Sequence, residues 1–284
     1  MNYPKLYEML YTEPWEVLER THAAWIMALN DHVASGRELT PPSREALGRS
    51  RSNKDERWYC PVELSDDGRL AVMSIQGTMG KRLSWLETYC GGCDLAHVDR
   101  DLEELRADDR VETVVFDFDS PGGLALASSD TTERLLKLTE EKRTVAYSDG
   151  LMCSAAYKMA AGCTEIYAAK SAEVGSVGTF AAIVDRSKEY DELGRKVHVF
   201  RASKYKAMGY PGKPVTDAEL ALMQERVEQL DATFKQYVIN QRPSIDREAL
   251  EGQEHDGVDA VGLGFLDGIY QDLSECLADE MERL

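Results

Sequence analysis

The chain has 284 residues, 43% of them hydrophobic, which suits one large globular domain or two small ones. Its formal net charge of −18 argues against a nucleic-acid-binding protein, because such proteins need a basic surface to displace counterions. No stretch reaches the roughly 20 apolar residues of a membrane span, and the start lacks the charged and apolar regions of a signal peptide, so a cytoplasmic protein is expected.

The first 60 residues differ in character from the rest. Apolar residues recur there at roughly helical spacing with an interruption at Pro14, and a polar, charged stretch follows. This pattern predicts a helical N-terminal arm and a flexible linker over residues 1–60, and a separate domain over residues 61–284. The arm carries Trp15 and Trp25, which we expect to be buried against the domain or against another subunit.

From residue 70 onward, strand-like and helix-like patterns alternate. Asp94 is a candidate N-cap for a helix with an apolar face of Leu95, Val98, Leu102 and Leu105. The predicted strands cover residues 70–75, 111–118, 144–148, 166–169, 177–184 and 196–200. The other predicted helices cover residues 128–142, 153–162, 187–194 and 216–241, and an acidic helix ends the chain. This alternation predicts an α/β fold with a largely parallel sheet covered by helices.

Cys90 and Cys93 have the spacing of a redox pair or of half a metal site. No second such pair and no nearby group of histidines completes a zinc site, so we interpret both as loop thiols. Six cysteines are too few for a disulfide scaffold at this length, which favours a reducing compartment.

Ser154 lies at the turn between the predicted strand 144–148 and the predicted helix 153–162. A hydroxyl on a sharp strand-to-helix turn suits a nucleophile, because the N–H groups of the helix start point toward the group that it attacks. The alternative is an ordinary helix N-cap, since serine is a favoured cap residue.

Three further motifs follow predicted strands or lead into them. The Ser-Pro-Gly-Gly motif at residues 120–123 could present N–H groups to an oxyanion, or form a simple tight turn. The serine of Gly-Ser-Val-Gly at residues 175–178 could orient a neighbouring side chain, or belong to a β-turn. The lysine of Tyr-Lys-Ala at residues 205–207 could act as a base only if burial or a nearby cation lowers its pKa, and is otherwise a solvated surface residue.

Together with Ser-Ala-Ala-Tyr at residues 154–157, these motifs resemble in order and spacing the SppA-type serine peptidases. That family includes bacterial signal peptide peptidase A and phage head-maturation proteases of the protein C type. The resemblance covers roughly residues 70–270. It implies a ClpP/crotonase-type β-α superhelix, a protein or peptide substrate, no metal or organic cofactor, and homo-oligomers that enclose their active sites.

The resemblance also implies a role for each site residue. Ser154 would be the nucleophile and Lys206 the general base. The oxyanion hole would consist of Gly122, Gly123 and the N–H of Ala155. Ser176 would hold the lysine in place.

Lys204 is the alternative to Lys206, since residues two apart on a strand project from the same face. The family's Tyr-Lys-Ser/Ala pattern matches Lys206. We also expect Ala207 and Met208 to leave less solvent around Lys206 than Ser203 leaves around Lys204, and a base lysine needs desolvation.

A Ser-His-Asp triad would require a histidine within reach of the serine. None of the five histidines lies in the segment after Ser154 where ClpP-type enzymes keep theirs, so a Ser-Lys pair is favoured. Cys153 departs from the small residue that usually precedes the nucleophile, but no histidine is paired with it.

The expected function is that of a serine endopeptidase that processes capsid or scaffold proteins in phage head maturation, in the host cytoplasm or the prohead. The absence of a membrane anchor before the domain favours this phage branch. One alternative is a soluble SppA-like peptidase that degrades signal or general peptides. Another is a non-catalytic capsid-assembly protein that uses the arm for contacts, although the intact Ser154 and Lys206 argue against it.

Overall fold

The computed structural model describes residues 9–35, 62–84, 87–88 and 91–284. The predicted linker and Cys90 lie outside these described residues. The strands are β1 (Trp15–Val17), β2 (Val62–Leu64), β3 (Leu70–Gln76), β4 (Thr78–Gly80), β5 (Gly92–Asp94), β6 (Thr113–Asp119), β7 (Gly122–Leu124), β8 (Arg143–Ser148), β9 (Leu151–Cys153), β10 (Glu165–Ala168), β11 (Glu173–Gly175), β12 (Glu254–Asp256) and β13 (Gly268–Ile269). The α-helices are α1 (Glu19–Ser35), α2 (Leu95–Ala107), α3 (Ala125–Glu141), α4 (Ala155–Ala161), α5 (Ser187–Glu192), α6 (Asp217–Gln241), α7 (Gly257–Gly262) and α8 (Leu273–Arg283).

The main sheet has six strands in the order β13-β10-β8-β6-β3-β2. All neighbours in it are parallel except β2, which runs antiparallel to β3 at one edge. A second sheet has the order β1-β7-β4-β5, and a third has the order β12-β11-β9. The α/β fold with a largely parallel sheet is therefore confirmed.

Four successive units repeat one pattern. A strand of the main sheet is followed at once by a short strand of a smaller sheet, in the pairs β3–β4, β6–β7, β8–β9 and β10–β11. Helices α3 and α4 follow the second and third of these pairs. The repetition produces the expected β-α spiral, and it brings the ends of β6 and β8 to one edge where β7 and β9 begin.

Strand β6 shows why the main sheet has nearly continuous apolar sequences. Phe116 and Phe118 point into the large core, while Val115 packs on the opposite face against Cys276 of α8. Both faces of the strand are buried, so alternation with polar residues is not required. The predicted strand at 111–118 is confirmed with its bounds shifted to 113–119.

The helix ends follow the predicted capping chemistry. The side chain of Asp94 accepts a hydrogen bond from Ala96 N–H, and the predicted apolar face of α2 is buried. At the start of α6, Thr216 and Glu219 form a reciprocal capping box. The expected helix before Gly194 is confirmed as α5, and Gly194 has a φ of +67°.

Two predicted strands are wrong. Residues 178–186 form one isolated bridge, at Phe180, instead of a strand over 177–184, and residues 196–200 have no regular structure. Among the described residues, the first segment pairs only at Phe180, with Trp15 of the N-terminal arm, and the second pairs with no strand, and Phe200 is 95% exposed. Cys93 also differs from the expectation, because it is buried in β5 and not in a loop.

The N-terminal arm is helical in α1, as predicted, but it also contains β1, which was not predicted. Pro14 ends the preceding helical residues, and Trp15–Val17 then add to the edge of β7 in antiparallel register. Trp15 is buried against the domain, with its indole N–H donating to Met9 O at 3.1 Å. This strand brings the arm directly to the candidate active site.

Candidate active site

The turn between β9 and α4 holds Ser154 in a rare backbone conformation, with φ 55° and ψ −117°. For a residue other than glycine such a conformation costs on the order of 1–3 kcal/mol and persists only where the surroundings impose it. Here Ser154 N–H donates to Gly175 O at 2.7 Å, and Ser154 O accepts from Lys158 N–H at 2.9 Å. The turn is thus tied to β11 on one side and to α4 on the other.

The hydroxyl of Ser154 does not act as a helix cap. Ser154 occupies the N-cap position of α4, but its side chain makes no capping hydrogen bond. The residue is 1% exposed, and its Oγ has no hydrogen-bond partner among the described residues. An unpaired buried hydroxyl is costly, so the N-cap alternative does not account for this serine.

Gly122 lies against this turn, whereas a Cβ on the next residue, Gly123, would lie 2.1 Å from Met79 O. Gly122 has a φ of +102°, and a Cβ on it would lie 2.2 Å from Glu16 O and 3.0 Å from both Ala155 N and Ser154 Cβ. Gly122 N–H donates to Ser120 Oγ at 3.2 Å, and Ser120 in turn donates to Gly77 O at 2.7 Å. Gly122, one of the residues predicted to form the oxyanion hole, therefore lies beside Ser154.

Ser176 follows Gly175, the residue whose carbonyl binds Ser154 N–H. Ser176 is buried, has a φ of +50°, and donates its own N–H to Gln253 O at 2.7 Å. It is therefore held beside the nucleophile turn by β11 and the segment before β12. Its position agrees with a supporting role, which stays a prediction.

Lys206 is not brought to this site within one chain. It lies in an irregular segment before α6, and both it and Lys204 are exposed. The Lys204 amine lies 4.8 Å from the Tyr205 ring centroid, and no hydrogen bond joins either lysine amine to Ser154 or Ser176 among the described residues. The single chain therefore gives neither lysine the burial that a general-base lysine needs, and the choice of Lys206 over Lys204 stays a prediction.

A buried lysine close to Ser154, Lys158, was not predicted from the sequence as a functional residue. Lys158, one helical turn after Ser154 on α4, is 5% exposed, and its amine lies 3.0 and 3.1 Å from the two carboxylate oxygens of Glu16. Ser128 Oγ donates to the same carboxylate at 3.0 Å, and the Phe234 ring centroid lies 5.1 Å from the amine. A lysine within the small and apolar residues 155–161 was the one available sequence signal.

The burial of Glu16 raises the pKa of its carboxyl group, an effect that Lys158 opposes. Glu16 belongs to β1 and Lys158 to α4, so this ion pair links the N-terminal arm to the helix that follows Ser154. A buried pair of this kind is costly to break, because the remaining charge would be left without a partner.

The histidines and Cys153 do not offer a competing nucleophile system. No histidine ring is hydrogen-bonded to Ser154 among the described residues, and His255 instead stacks on Phe265 with ring centroids 5.1 Å apart. Burial raises the pKa of the Cys153 thiol, which donates to Glu173 O at 3.3 Å. A buried neutral thiol is a poor nucleophile.

Neither a metal-binding group of side chains nor a membrane-spanning helix is found in the part of the chain that the structure describes. No group of three or more His, Cys, Asp or Glu side chains is arranged there to hold a metal ion. None of the described helices combines the length and the apolar character needed to cross a membrane.

The sequence profile of peptidase family S49 matches residues 137–282, about half of the chain. A protein of Methanocaldococcus jannaschii that carries the name of a protease is 30% identical over 171 residues, covering 59% of this chain and 55% of the relative. Capsid assembly protease C of Escherichia phage lambda is 23% identical over 282 residues, covering 94% of this chain and 63% of the relative.

The head-tail preconnector protein of Enterobacteria phage P21 is 24% identical over 169 residues, covering 60% of this chain and 34% of the relative. The chain thus spans between 34% and 63% of the length of these relatives. Among solved structures, an enoyl-CoA hydratase/isomerase from Marinobacter aquaeolei aligns with a TM-score of 0.47 at 14% identity, covering 79% of this chain and 76% of the other.

Proposed function

The chain belongs to peptidase family S49, and we propose on this premise that it is a serine endopeptidase with Ser154 as nucleophile and Lys206 as general base. One observation carries the proposal. The hydroxyl of Ser154 is held without a partner on a strained strand-to-helix turn, beside Gly122, whose missing side chain leaves the space that the Glu16 carbonyl oxygen occupies. Strain of this kind concentrates at functional sites.

In the proposed reaction, a neutral lysine amine accepts the proton of the Ser154 hydroxyl as its oxygen attacks the substrate carbonyl carbon. The resulting oxyanion would be stabilised by Ala155 N–H, which has no partner within its helix, and by Gly123 N–H once β1 no longer pairs with Gly123, because Gly122 N–H already donates to Ser120 Oγ. The proton then passes to the leaving amine as the peptide bond breaks. Water hydrolyses the acyl-enzyme in a second step with the same residues.

The exposed position of Lys206 requires its amine to be delivered to Ser154 by another subunit or by rearrangement of residues 196–215. The segment carries Phe200 at 95% exposure, together with exposed Tyr205 and Tyr210. Exposed large apolar side chains grouped in one segment are typical of interaction surfaces. We therefore favour a homo-oligomer in which this segment covers the active site of a neighbouring copy.

Mixing two inactive variants tests this arrangement. If the base comes from a neighbour, equal amounts of Ser154→Ala and Lys206→Ala chains should regain activity after subunit exchange, because some sites combine an intact serine with an intact lysine. Light scattering at micromolar concentration should show an oligomer. A monomeric species that retains full activity would contradict delivery by a second copy.

The proposed substrates are capsid or scaffold proteins of a phage head, cleaved in the host cytoplasm or the prohead. This part rests on the names of two relatives, a capsid assembly protease and a head-tail preconnector protein. Co-expression with candidate capsid and scaffold proteins, followed by mass spectrometry of the products, tests it. Cuts that appear with the wild-type chain and disappear with Ser154→Ala are expected, whereas Ser203→Ala, at an exposed serine, should cleave like the wild type.

A further inference from the structure

Strand β1 occupies a cleft beside Ser154 and is held there along both edges. On one edge Glu16 pairs with Gly123 of β7, and Leu18 N–H donates to Pro121 O at 2.9 Å. On the other edge Trp15 and Phe180 exchange both backbone hydrogen bonds, at 2.8 and 3.0 Å. An extended segment paired on two sides is the way in which proteins bind peptides by strand addition.

The backbone carbonyl oxygen of Glu16 lies close to the Ser154 turn. Glu16 O lies 2.2 Å from the place that a Cβ on Gly122 would take, and both Ala155 N and Ser154 Cβ lie 3.0 Å from that same place. The peptide bond between Glu16 and Val17 therefore lies next to the nucleophile and to the N–H at the start of α4. In the proposed reaction, this is the place of the bond to be cut.

The side chain of Glu16 enters a buried pocket whose polar groups match a carboxylate. Lys158 and Ser128 both bond to it, and Ser129 Oγ lies 3.2 Å from the Lys158 amine. Glu16 is 1% exposed and Lys158 5% exposed. Among the described residues, Glu16 has the only carboxylate within ion-pair distance of Lys158.

This pocket should discriminate strongly between acidic and neutral side chains. A peptide without a carboxylate would leave the ammonium group of Lys158 buried and unpaired, which is far more costly than losing a surface ion pair. An uncharged glutamine has the same shape as glutamate but lacks the charge. The comparison of these two residues therefore isolates the contribution of the charge.

Resting on the proposed function, the geometry points to a substrate cleft selective for an extended peptide with a glutamate on the amino side of the scissile bond. Lys158 is its specificity-determining residue, and β1 is the chain's own occupant of the cleft. Substrate can bind only after β1 has left.

Binding is measured with the full chain carrying Ser154→Ala, which prevents turnover, and Glu16→Lys, which places a second positive charge against Lys158 and expels β1. The probes are two fluorescent peptides, Pro-Trp-Glu-Val-Leu-Glu, the sequence of residues 14–19, and Pro-Trp-Gln-Val-Leu-Glu. Fluorescence anisotropy should show at least ~10-fold tighter binding of the glutamate peptide. Adding Lys158→Met should reduce this difference to below about twofold.

Equal affinities in the chain that keeps Lys158, or no binding of either peptide up to about millimolar concentration, would overturn the inference and leave Glu16–Lys158 as a purely structural ion pair. Circular dichroism checks the fold, and Glu16→Gln replaces Glu16→Lys if the latter unfolds, with the same expected preference.

Hydrolysis of the same peptides by the chain that carries Glu16→Lys but keeps Ser154, in which β1 has left the cleft, separates this inference from the proposed function. Selective binding of the glutamate peptide without any hydrolysis would contradict the proposed endopeptidase activity but support the inferred selectivity of the pocket for glutamate. Hydrolysis of both peptides with equal kcat/KM would contradict the selectivity for glutamate but support the proposed endopeptidase activity. Cleavage after the glutamate alone supports both.

Discussion

The two halves of the proposed dyad lie in regions of opposite character. Ser154 is buried, its backbone is fixed by two hydrogen bonds, and helix α4 behind it is entirely buried. Lys206 lies in the irregular residues 196–215, where most side chains are exposed. The proposed nucleophile is therefore positioned by the fold of one chain, whereas the proposed base would have to be brought to it. This difference allows assembly to control when the site becomes complete.

The largest loss of activity should follow from removing the hydroxyl of Ser154, the half of the proposed dyad that one chain positions by itself. Ser154→Ala should lower kcat/KM by at least ~10⁴-fold, since the attacking oxygen is lost. The thermal midpoint should stay the same or rise, because the change removes a buried hydroxyl that has no partner and leaves a small side chain. Residual activity above 1% of the wild type, on the order of a 10²-fold loss or less, would exclude Ser154 as nucleophile.

Removing Lys206, the half of the proposed dyad that must be brought to the site, should lower the rate by less. Lys206→Ala should lower kcat/KM by ~10²–10⁴-fold, the usual contribution of general acid–base catalysis. Lys204→Ala is the matched control at an exposed lysine two residues away, and it should cost less than about tenfold. Peptide hydrolysis by both variants decides between them, and an inactive Lys204→Ala beside an active Lys206→Ala would reverse the assignment.

A substitution at Gly122 tests whether activity depends on the absence of a side chain beside Ser154. Gly122→Ala should lower activity by about 10²-fold, because its Cβ would collide with Glu16 O and crowd Ala155 N. Gly194→Ala is the control, since Gly194 also has a positive φ but has no atom within 4 Å of its added Cβ. It should cost about 1 kcal/mol of stability and leave kcat/KM near the wild-type value. Equal losses in both variants would mean that backbone strain alone is responsible.

Much of this comparison was accessible from the sequence, and the parts that were not have physical reasons. Ser154 and the glycine turns carry local chemistry that short motifs reveal. The pairing of Glu16 with Lys158 joins residues 142 positions apart, so no local pattern announces it. Strand β1 has three residues, too few for a periodic signal. The apolar alternation of residues 196–200 predicted a strand, but strand formation depends on a partner strand, which the described residues of the single chain do not supply.

The smallest expected effect concerns a carboxylate at the end of β6, just before the oxyanion turn. Burial, with the nearby Asp149 and Asp119, raises the pKa of Asp117 to about 6. The folded state therefore binds this proton more tightly than the unfolded state, so its contribution to stability is present below about pH 4 and is lost as the pH rises through about 6. Asp117→Asn should raise the thermal midpoint at pH 8 by a few degrees and have little effect at pH 4.

The exposed Asp66 provides the control for this pH dependence. Asp66→Asn should change the thermal midpoint equally at both pH values. If Asp117→Asn also changes the thermal midpoint equally at both pH values, the charge of Asp117 beside Asp119 and Asp149 does not lower the stability of the fold at neutral pH.

The central claim is that Ser154 becomes a nucleophile through Lys206, and labelling with a fluorophosphonate probe tests it most directly. Mass spectrometry of the labelled wild-type chain should find the phosphonyl group on Ser154. The labelling rate should fall by at least ~10²-fold in Lys206→Ala and stay close to the wild-type rate in Lys204→Ala. A label on any other residue, or equal labelling rates in the two lysine variants, would contradict the account.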